Sequence, residues 1–464
     1  MATKLTQASG VAVEECVSGS LDLFSTPFQE TIIDNCYFTE IDPSTPLADS
    51  GNSIKFSIPS SQDFVDLAQS VVVLKVKITT SAGNDLPPFT WTDAQGGPPA
   101  VPAAGTSVGF IQLPLTSLFS SVNFILNEQT LSDSFSTYPY VSYFQTVLNF
   151  SKDARDSRLQ LLGFYEDSNP NVTRADPGAV SSGYKERAAA TASSHVATYL
   201  GPVFHSLFSQ NRFLIPLMPF SLEWIKASPL FALKGNASGT FIYKITSMKM
   251  LIRKVKILPS YKLDIEAKLE KQAAIYPIRH SYCKPFFIDA GDKQASFENI
   301  FQGKSIPAVC AVALVEQTNY RGTLGTSPFQ FAHHSVSSLK ISFDSFSYPT
   351  PTPFQPNFDS TTEGDWTRSY LSLFDGGNLK VDHGLMINYS KYKNNGFTIW
   401  VFDFGRETTL ANDHVSTKRG GSARLDISFA PTSNNNALTL LLYVESDELL
   451  EVDSNRKVHR GYHL

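Results

Sequence analysis

The stretch that decides the fold is Asn52-Ser-Ile-Lys-Phe-Ser-Ile-Pro59, then Asp63-Phe-Val-Asp-Leu67, then Val71-Val-Val-Leu-Lys-Val-Lys-Ile78. In its first part Ile54, Phe56 and Ile58 alternate with Lys55 and Ser57. A period of two places the apolar side chains on one face of a half-buried strand. Pro59 ends that strand, because proline has no N–H to give to a ladder. The third part is β-branched, and Val72, Leu74, Val76 and Ile78 alternate with Lys75 and Lys77. The reading is two strands joined by an acidic Asp66-Leu67 step, with both lysines on the wet face of a sandwich.

Outward from this stretch the same grammar repeats. Further strands are expected at 111–115, 118–126, 213–217, 241–257, 275–278, 285–288, 308–315, 397–404, 423–429 and 437–444. One segment breaks the pattern: in Tyr138-Pro-Tyr-Val-Ser-Tyr-Phe-Gln-Thr-Val-Leu148 the apolar residues fall at helical spacing, with Pro139 suited to a first turn. Residues 81–107, 165–196 and 344–377, rich in Pro, Gly and small polar residues, read as long surface loops. Within 165–196, Lys185-Glu-Arg-Ala-Ala-Ala190 has the composition of a short helix. Pro259-Ser260 closes a first unit, and an amphipathic linker helix follows. The expected organisation is a flexible arm over 1–20, a first jelly roll over 21–259, a linker helix over 260–274, a second jelly roll over 275–453 and a tail over 454–464. The fold class is all-β: two tandem jelly-roll sandwiches, a double jelly roll, with long surface loops and few short helices.

Composition agrees with large β cores. Of the 464 residues only 17% are charged, while about 25% is usual. Phe outnumbers Trp 34 to 4. The balance of 38 Lys+Arg against 43 Asp+Glu leaves −5, unlike the basic surplus of a nucleic-acid binder. The four cysteines form no Cys-x-x-Cys pair, so they are expected to be reduced, buried thiols rather than zinc ligands. No leader-like apolar run opens the chain, and no segment approaches the ~18 apolar residues of a membrane span.

Candidate sites are few. Gly303-Lys304-Ser305 lacks the earlier glycine of a phosphate loop, since position 298 is Glu. His333 and His334 are adjacent and point to opposite faces of a strand, so they cannot share a metal. No nucleophile elbow or framed carboxylate pair occurs, so no catalytic, cofactor or metal residues are assigned. Basic residues gather late in each half, and Lys249, Arg253, Lys254, Lys256, Arg456, Lys457 and Arg460 are candidates for a face turned toward nucleic acid without sequence preference. The opposing reading is a solvated strand face interleaved with acids.

Several stretches together resemble one family. In the first half they are Ile54–Pro59, the Asp66-Leu67 step, Val71–Ile78, Thr116-Ser-Leu-Phe-Ser-Ser-Val-Asn-Phe-Ile-Leu-Asn127 and Tyr138-Pro-Tyr-Val-Ser-Tyr143. In the second half they are Phe301-Gln-Gly-Lys-Ser-Ile-Pro307, Phe402-Asp-Phe404, Arg419-Gly-Gly-Ser-Ala-Arg-Leu-Asp-Ile-Ser-Phe429 and Leu442–Asp453. The ordered set, over about residues 20 to 462, looks like the double jelly-roll major capsid protein (hexon) of Maverick/Polinton elements and adintoviruses. One departure is Thr116, where the family often carries His. The resemblance implies a non-enzymatic subunit that forms homotrimers with a pseudo-hexagonal outline. These tile an icosahedral shell around double-stranded DNA, with penton and minor capsid proteins as further partners. It also implies residence in the virion, synthesis in the host cytoplasm and assembly in the host nucleus. The alternative is a β-sandwich receptor- or glycan-binding module of a virion.

Overall fold

The computed structural model describes the chain except residues 1–29, 48–50, 88–107, 132–134, 168–181, 236–239, 302–305, 344–345, 359–364, 376–383, 405–420, 432–435 and 462–464. The arm expected over 1–20, most of the 81–107 loop and Gly303-Lys304-Ser305 therefore lie outside the described residues.

Eight strands make the first sandwich. In chain order they are Ile33–Ile41, Ser53–Ile58, Phe64–Thr80, Phe119–Leu126, Gln129–Thr130, Ala197–Pro202, Phe220–Lys226 and Phe241–Ile257. The first, eighth, third and sixth form one antiparallel sheet, and the second, seventh, fourth and fifth form the sheet facing it. The second sandwich repeats this with Ala274–Ile288, Gln294–Glu298, Val309–Glu316, Val336–Phe343, Phe346–Tyr348, Ile399–Asp403, Ala423–Phe429 and Leu438–Val452. Its sheets again read first-eighth-third-sixth and second-seventh-fourth-fifth. That order, in which consecutive strands alternate between sheets except the fourth and fifth, which pair with each other, is the jelly roll, and the chain carries it twice.

The alternation at 54–78 packs as read. Phe56, Val72, Leu74, Val76 and Ile78 are fully buried and Lys75 is exposed. Burying a side chain such as Phe56 contributes about 2–3 kcal/mol. Three details differ from expectation. The stretch holds the second and third strands of its roll, not the first two, and they lie in opposite sheets. The first strand, Ile33–Ile41, has no buried stripe to announce it, since Asp34–Phe38 are all exposed. The Asp66-Leu67 step is not a connection but a bulge inside one 17-residue strand. Asp66 faces Arg253 and Val71 faces Leu251, so residues 67–70 are accommodated by bulging. Ser70 Oγ donates to the Asp66 carbonyl (2.7 Å) and accepts from the Arg253 N–H (3.1 Å), which closes the bulge.

The other expected loops are partly ordered. Within 165–196, Ser182–Ala190 is a helix that buries Tyr184, Arg187 and Ala188 against the short Val108–Phe110 strand. Arg187 is held there by Phe110 O (2.8 Å), by both oxygens of buried Asp167 (3.0 and 3.1 Å) and by Tyr165 O. Within 344–377 the chain forms the Phe346–Tyr348 strand and the Thr367–Asp375 helix. That helix covers the edge of Ile399–Asp403, where Ser372 Oγ accepts from Val401 N–H (3.2 Å). Between the rolls runs the Pro259–Leu269 helix. The expected tail instead adds a strand, Val458–Gly461, to Leu438–Val452.

Candidate assembly surfaces and the basic residues

The helix read from the Tyr138 segment spans Tyr138–Asn149, and it is the joint between the two rolls. Pro139 sits in its first turn, and all its residues but Gln145 and Asn149 are buried. A helix apolar on nearly every side must be covered on every side. The first roll covers one side and the second roll the other. Tyr143 stacks on Phe329 at 4.4 Å with planes 1° apart. Phe144 lies against Phe331 (5.3 Å) and Tyr443 (5.2 Å), and Tyr140 against Tyr320 (5.7 Å). Offset aromatic pairs of this kind add about 0.5–1.5 kcal/mol each beyond burial.

Polar contacts set the register of the joint. Thr137 Oγ1 donates to Cys283 O (2.7 Å) and Gln145 Nε2 to Ser281 Oγ (2.8 Å). Lower down, the Tyr276 hydroxyl donates to Phe213 O (3.2 Å) and accepts from Ile215 N–H (3.1 Å). At the other margin Glu166 of the first roll accepts from Arg155 and from Lys391 of the second. Beside the helix, Tyr443 donates to Glu445 (2.6 Å), whose carboxyl is raised above its ordinary range by burial. One cavity between the rolls, bounded by Phe135, Tyr138, His205, His280 and Tyr282, is about 50 Å³. It is far smaller than the several hundred Å³ of a small-molecule site.

The seven basic candidates do not form one free patch. Lys249 pairs with Glu40 (2.8 Å) and Asp42 (3.8 Å), Arg253 with Asp66 (3.4 Å) and Lys256 with Asp34 (2.8 Å). The Glu40 hydrogen bond raises the Lys249 ammonium and lowers the Glu40 carboxyl. Arg460 pairs with Glu448 (2.8 Å). Arg456 ties the chain's end to the joint: it holds both oxygens of Glu266 (2.7 and 2.9 Å), donates to Pro216 O (3.1 Å), and its own carbonyl accepts from Asn127 (2.7 Å). Lys254 is half-buried and Lys457 exposed. No signal in the sequence marks these pairings, because every partner but Glu448 comes from a distant strand or helix.

The histidines sit in a turn with positive φ at His334 and Ser335, not in a strand. His333 stacks on Phe358 at 4.3 Å, and burial, with His334 and Lys393 adding to it, pushes it down to about 4. Among the described residues no three His, Cys, Asp or Glu side chains are placed to hold a metal. Cys283 and Cys310 are free and buried, and burial raises both thiols, whereas Cys36 is exposed on the Ile33–Ile41 strand. No described helix is long and apolar enough to cross a membrane.

No family model matches the chain. An uncharacterised protein of Caenorhabditis elegans is 23% identical over 378 residues, covering 79% of this chain and 86% of its own. A chain of the Sputnik virophage structure superposes with a TM-score of 0.61 at 14% identity, over 99% of this chain and 95% of that one. The mavirus major capsid protein does so at 0.53 and 12%, over 99% and 97%, and the Faustovirus major capsid protein at 0.54 and 11%, over 93% of each. Two of these three neighbours are named as major capsid proteins, those of mavirus and Faustovirus. At such identities the likeness is one of fold, and it runs the length of the chain.

Proposed function

We propose that this chain is a hexon-type major capsid protein. Three copies form a pseudo-hexagonal capsomer, and capsomers tile an icosahedral shell around double-stranded DNA. The observation that carries this reading is the repeated strand order. Two rolls of one topology, locked side by side by an aromatic joint, give a subunit with two nearly equivalent blocks, so three copies supply six. Full-length likeness of fold to the mavirus and Faustovirus major capsid proteins supports it. The ordered motifs quoted above support placement within the Maverick/Polinton and adintovirus group. Domain limits near 259 and 274 follow from the helix between the rolls.

In this reading the chain has no catalytic role. Its partners are its own copies, neighbouring capsomers, and penton and minor capsid proteins. Its place is the virion, after synthesis in the host cytoplasm and assembly in the host nucleus. The basic residues meet packaged DNA only indirectly. Five of the seven are matched by carboxylates, which leaves little net positive charge for phosphates.

Light scattering tests the proposal. The purified protein should have three times the 51.1 kDa mass of one chain, and electron microscopy should show six-sided particles. A monomer at micromolar concentration overturns it. Glycan-array binding without assembly points instead to the receptor-binding module.

A further inference from the structure

Two insertions meet at one end of the molecule, each lying between the fifth and sixth strands of its roll. The first carries the Lys152–Arg155 helix, the Arg158–Leu162 turn and the Ser182–Ala190 helix, and the second carries the Tyr389–Asn394 helix. The sixth strands start at Ala197, beside Val76, and at Ile399, beside Ala313. The Pro259–Leu269 helix joins the rolls at the opposite end, after Val255 beside Phe64 and before Ala274 beside Val452. Where the insertions meet there is a cleft of about 350 Å³. That volume suits a small molecule, unlike the cavity beside the joint helix.

One wall of the cleft is fixed. Arg155 donates to both oxygens of Asp156 (2.7 and 3.1 Å) and to Glu166, whose other oxygen takes Lys391 of the second roll. Only 15% of the Arg155 side chain and 11% of the Glu166 side chain are exposed. Gly183 brings its helix against the carbonyls of Tyr165 and Glu166, where any Cβ would collide. The wall still has capacity: the Lys391 ammonium keeps spare donors, and the two carboxylates keep spare lone pairs. The rest of the lining is unengaged. Gln160, Tyr165 and Glu186 face the same cleft, and among the described residues their side chains make no hydrogen bond or ion pair.

This lining selects by chemistry. Asp156, Glu166 and Glu186 outnumber Arg155 and Lys391 by one charge, which disfavours phosphates and sulfates. The two fixed cations disfavour a polyamine. An apolar ligand would strip water from charged groups without replacing their hydrogen bonds. What fits is a neutral molecule with closely spaced groups that each donate and accept, as vicinal hydroxyls do. Planar carboxylates and a planar guanidinium held in place bind such pairs two bonds at a time. The Tyr165 ring adds a flat apolar face for the C–H side of a pyranose.

We propose that this cleft binds a neutral saccharide, held by the Asp156–Arg155–Glu166–Lys391 wall and by Gln160, Tyr165 and Glu186. A free sugar and the terminal residue of a glycan share this chemistry. The inference stands on the cleft and not on the capsid reading.

Saturation-transfer NMR on the full chain tests it with glucose, galactose and N-acetylglucosamine, and with glucose 6-phosphate and spermidine as charged probes. A glycan array ending in the same three sugars runs beside it. At least one neutral sugar should bind with a dissociation constant on the order of 1 mM. The Gln160→Ala/Glu186→Ala double variant should weaken it at least about tenfold, with mass and melting temperature unchanged. Should that variant melt lower, Gln160→Ala alone carries the test. Glu270→Ala, at the opposite end of the molecule, should bind as wild type. Binding of free sugars marks a small-molecule ligand, and binding on the array alone marks a glycan. Tighter binding of either charged probe refutes the ligand class. No neutral sugar bound in either format, or binding indifferent to the cleft variants, refutes the site. Trimers that bind no sugar leave the capsid reading standing, whereas a monomer that binds one keeps the cleft and overturns the capsid reading.

Discussion

The outer faces of the two large sheets differ, although the strands behind them follow one plan. In the second roll the eighth strand is buried on both sides: Leu440, Leu442 and Val444 point one way, Leu441 and Tyr443 the other, and all are fully buried. In the first roll the eighth strand buries Met250 and Ile252, while Leu251 between them stays half-buried beside Lys249 and Arg253. Across the ladder the outer neighbours are Glu40 and Val71 for Leu251, against Pro285 and Ala313 for Leu441. One outer face is therefore core, sealed by the Tyr138–Asn149 helix, and the other is surface. A sheet face acquires a core's composition when something within the same chain covers it, and among the described residues the counterpart on the first roll stays uncovered.

The largest effect should come from placing one charge on the outer face of each eighth strand. Leu441→Asp puts an unpaired carboxylate in a sealed interface and should leave little soluble protein. Leu251→Asp should fold with a nearly unchanged far-UV spectrum and lose only assembly. Equal behaviour would erase the distinction between the faces. Next comes Tyr143→Ala, which removes the ring stacked on Phe329. It should cost about 3–5 kcal/mol, and a scanning-calorimetry trace with one transition should split into two as the rolls uncouple. A single, merely lowered transition would place the cooperativity elsewhere than in this helix.

Acid should act more mildly, and on the second roll. His333 titrates near 4 in the fold and near 6.5 when unfolded. The unfolded chain therefore takes the proton first. Stability is full above about pH 6.5, falls as pH drops toward 4, and loses nothing further from this group below that. Between pH 7 and 4.5 the wild type should lose roughly 1–3 °C more in melting temperature than His333→Gln. Parallel curves would mean the imidazole contributes nothing. The smallest effect belongs to Lys249→Ala. Its ion pair with Glu40 lies in open solvent, so the melting temperature should not move measurably, and salt should make no difference.

Most of the strands were legible because burial on one face writes a period of two into the residues, as at Ile54–Ile58 and Val72–Ile78. The joint helix was legible from the change of period at Tyr138. Ile33–Ile41 was not, because a strand exposed on both faces has no stripe. Nor was the bulge at Asp66, which reads locally as a turn and exists only because Ser70 of the same strand closes it against the N–H of Arg253 across the sheet. The helix at Ser182–Ala190 was legible in part, from the composition of 185–190, but nothing local records the clamp of Asp167, Phe110 and Tyr165 around Arg187 that buries it.

The basic candidates show the same limit most plainly. Counting charges along 249–256 suggests a patch, but partners 187 to 222 positions away, at Asp34, Glu40 and Asp66, neutralise it. By itself the sequence determined that this is a chain of two β sandwiches with a helix in the first, because one-sided burial imposes periods that survive in one dimension. Only the tertiary structure decided which strands share a sheet, which face of each roll is covered, and which charges remain unmatched. Those depend on contacts between residues far apart in the chain, and no local pattern records them.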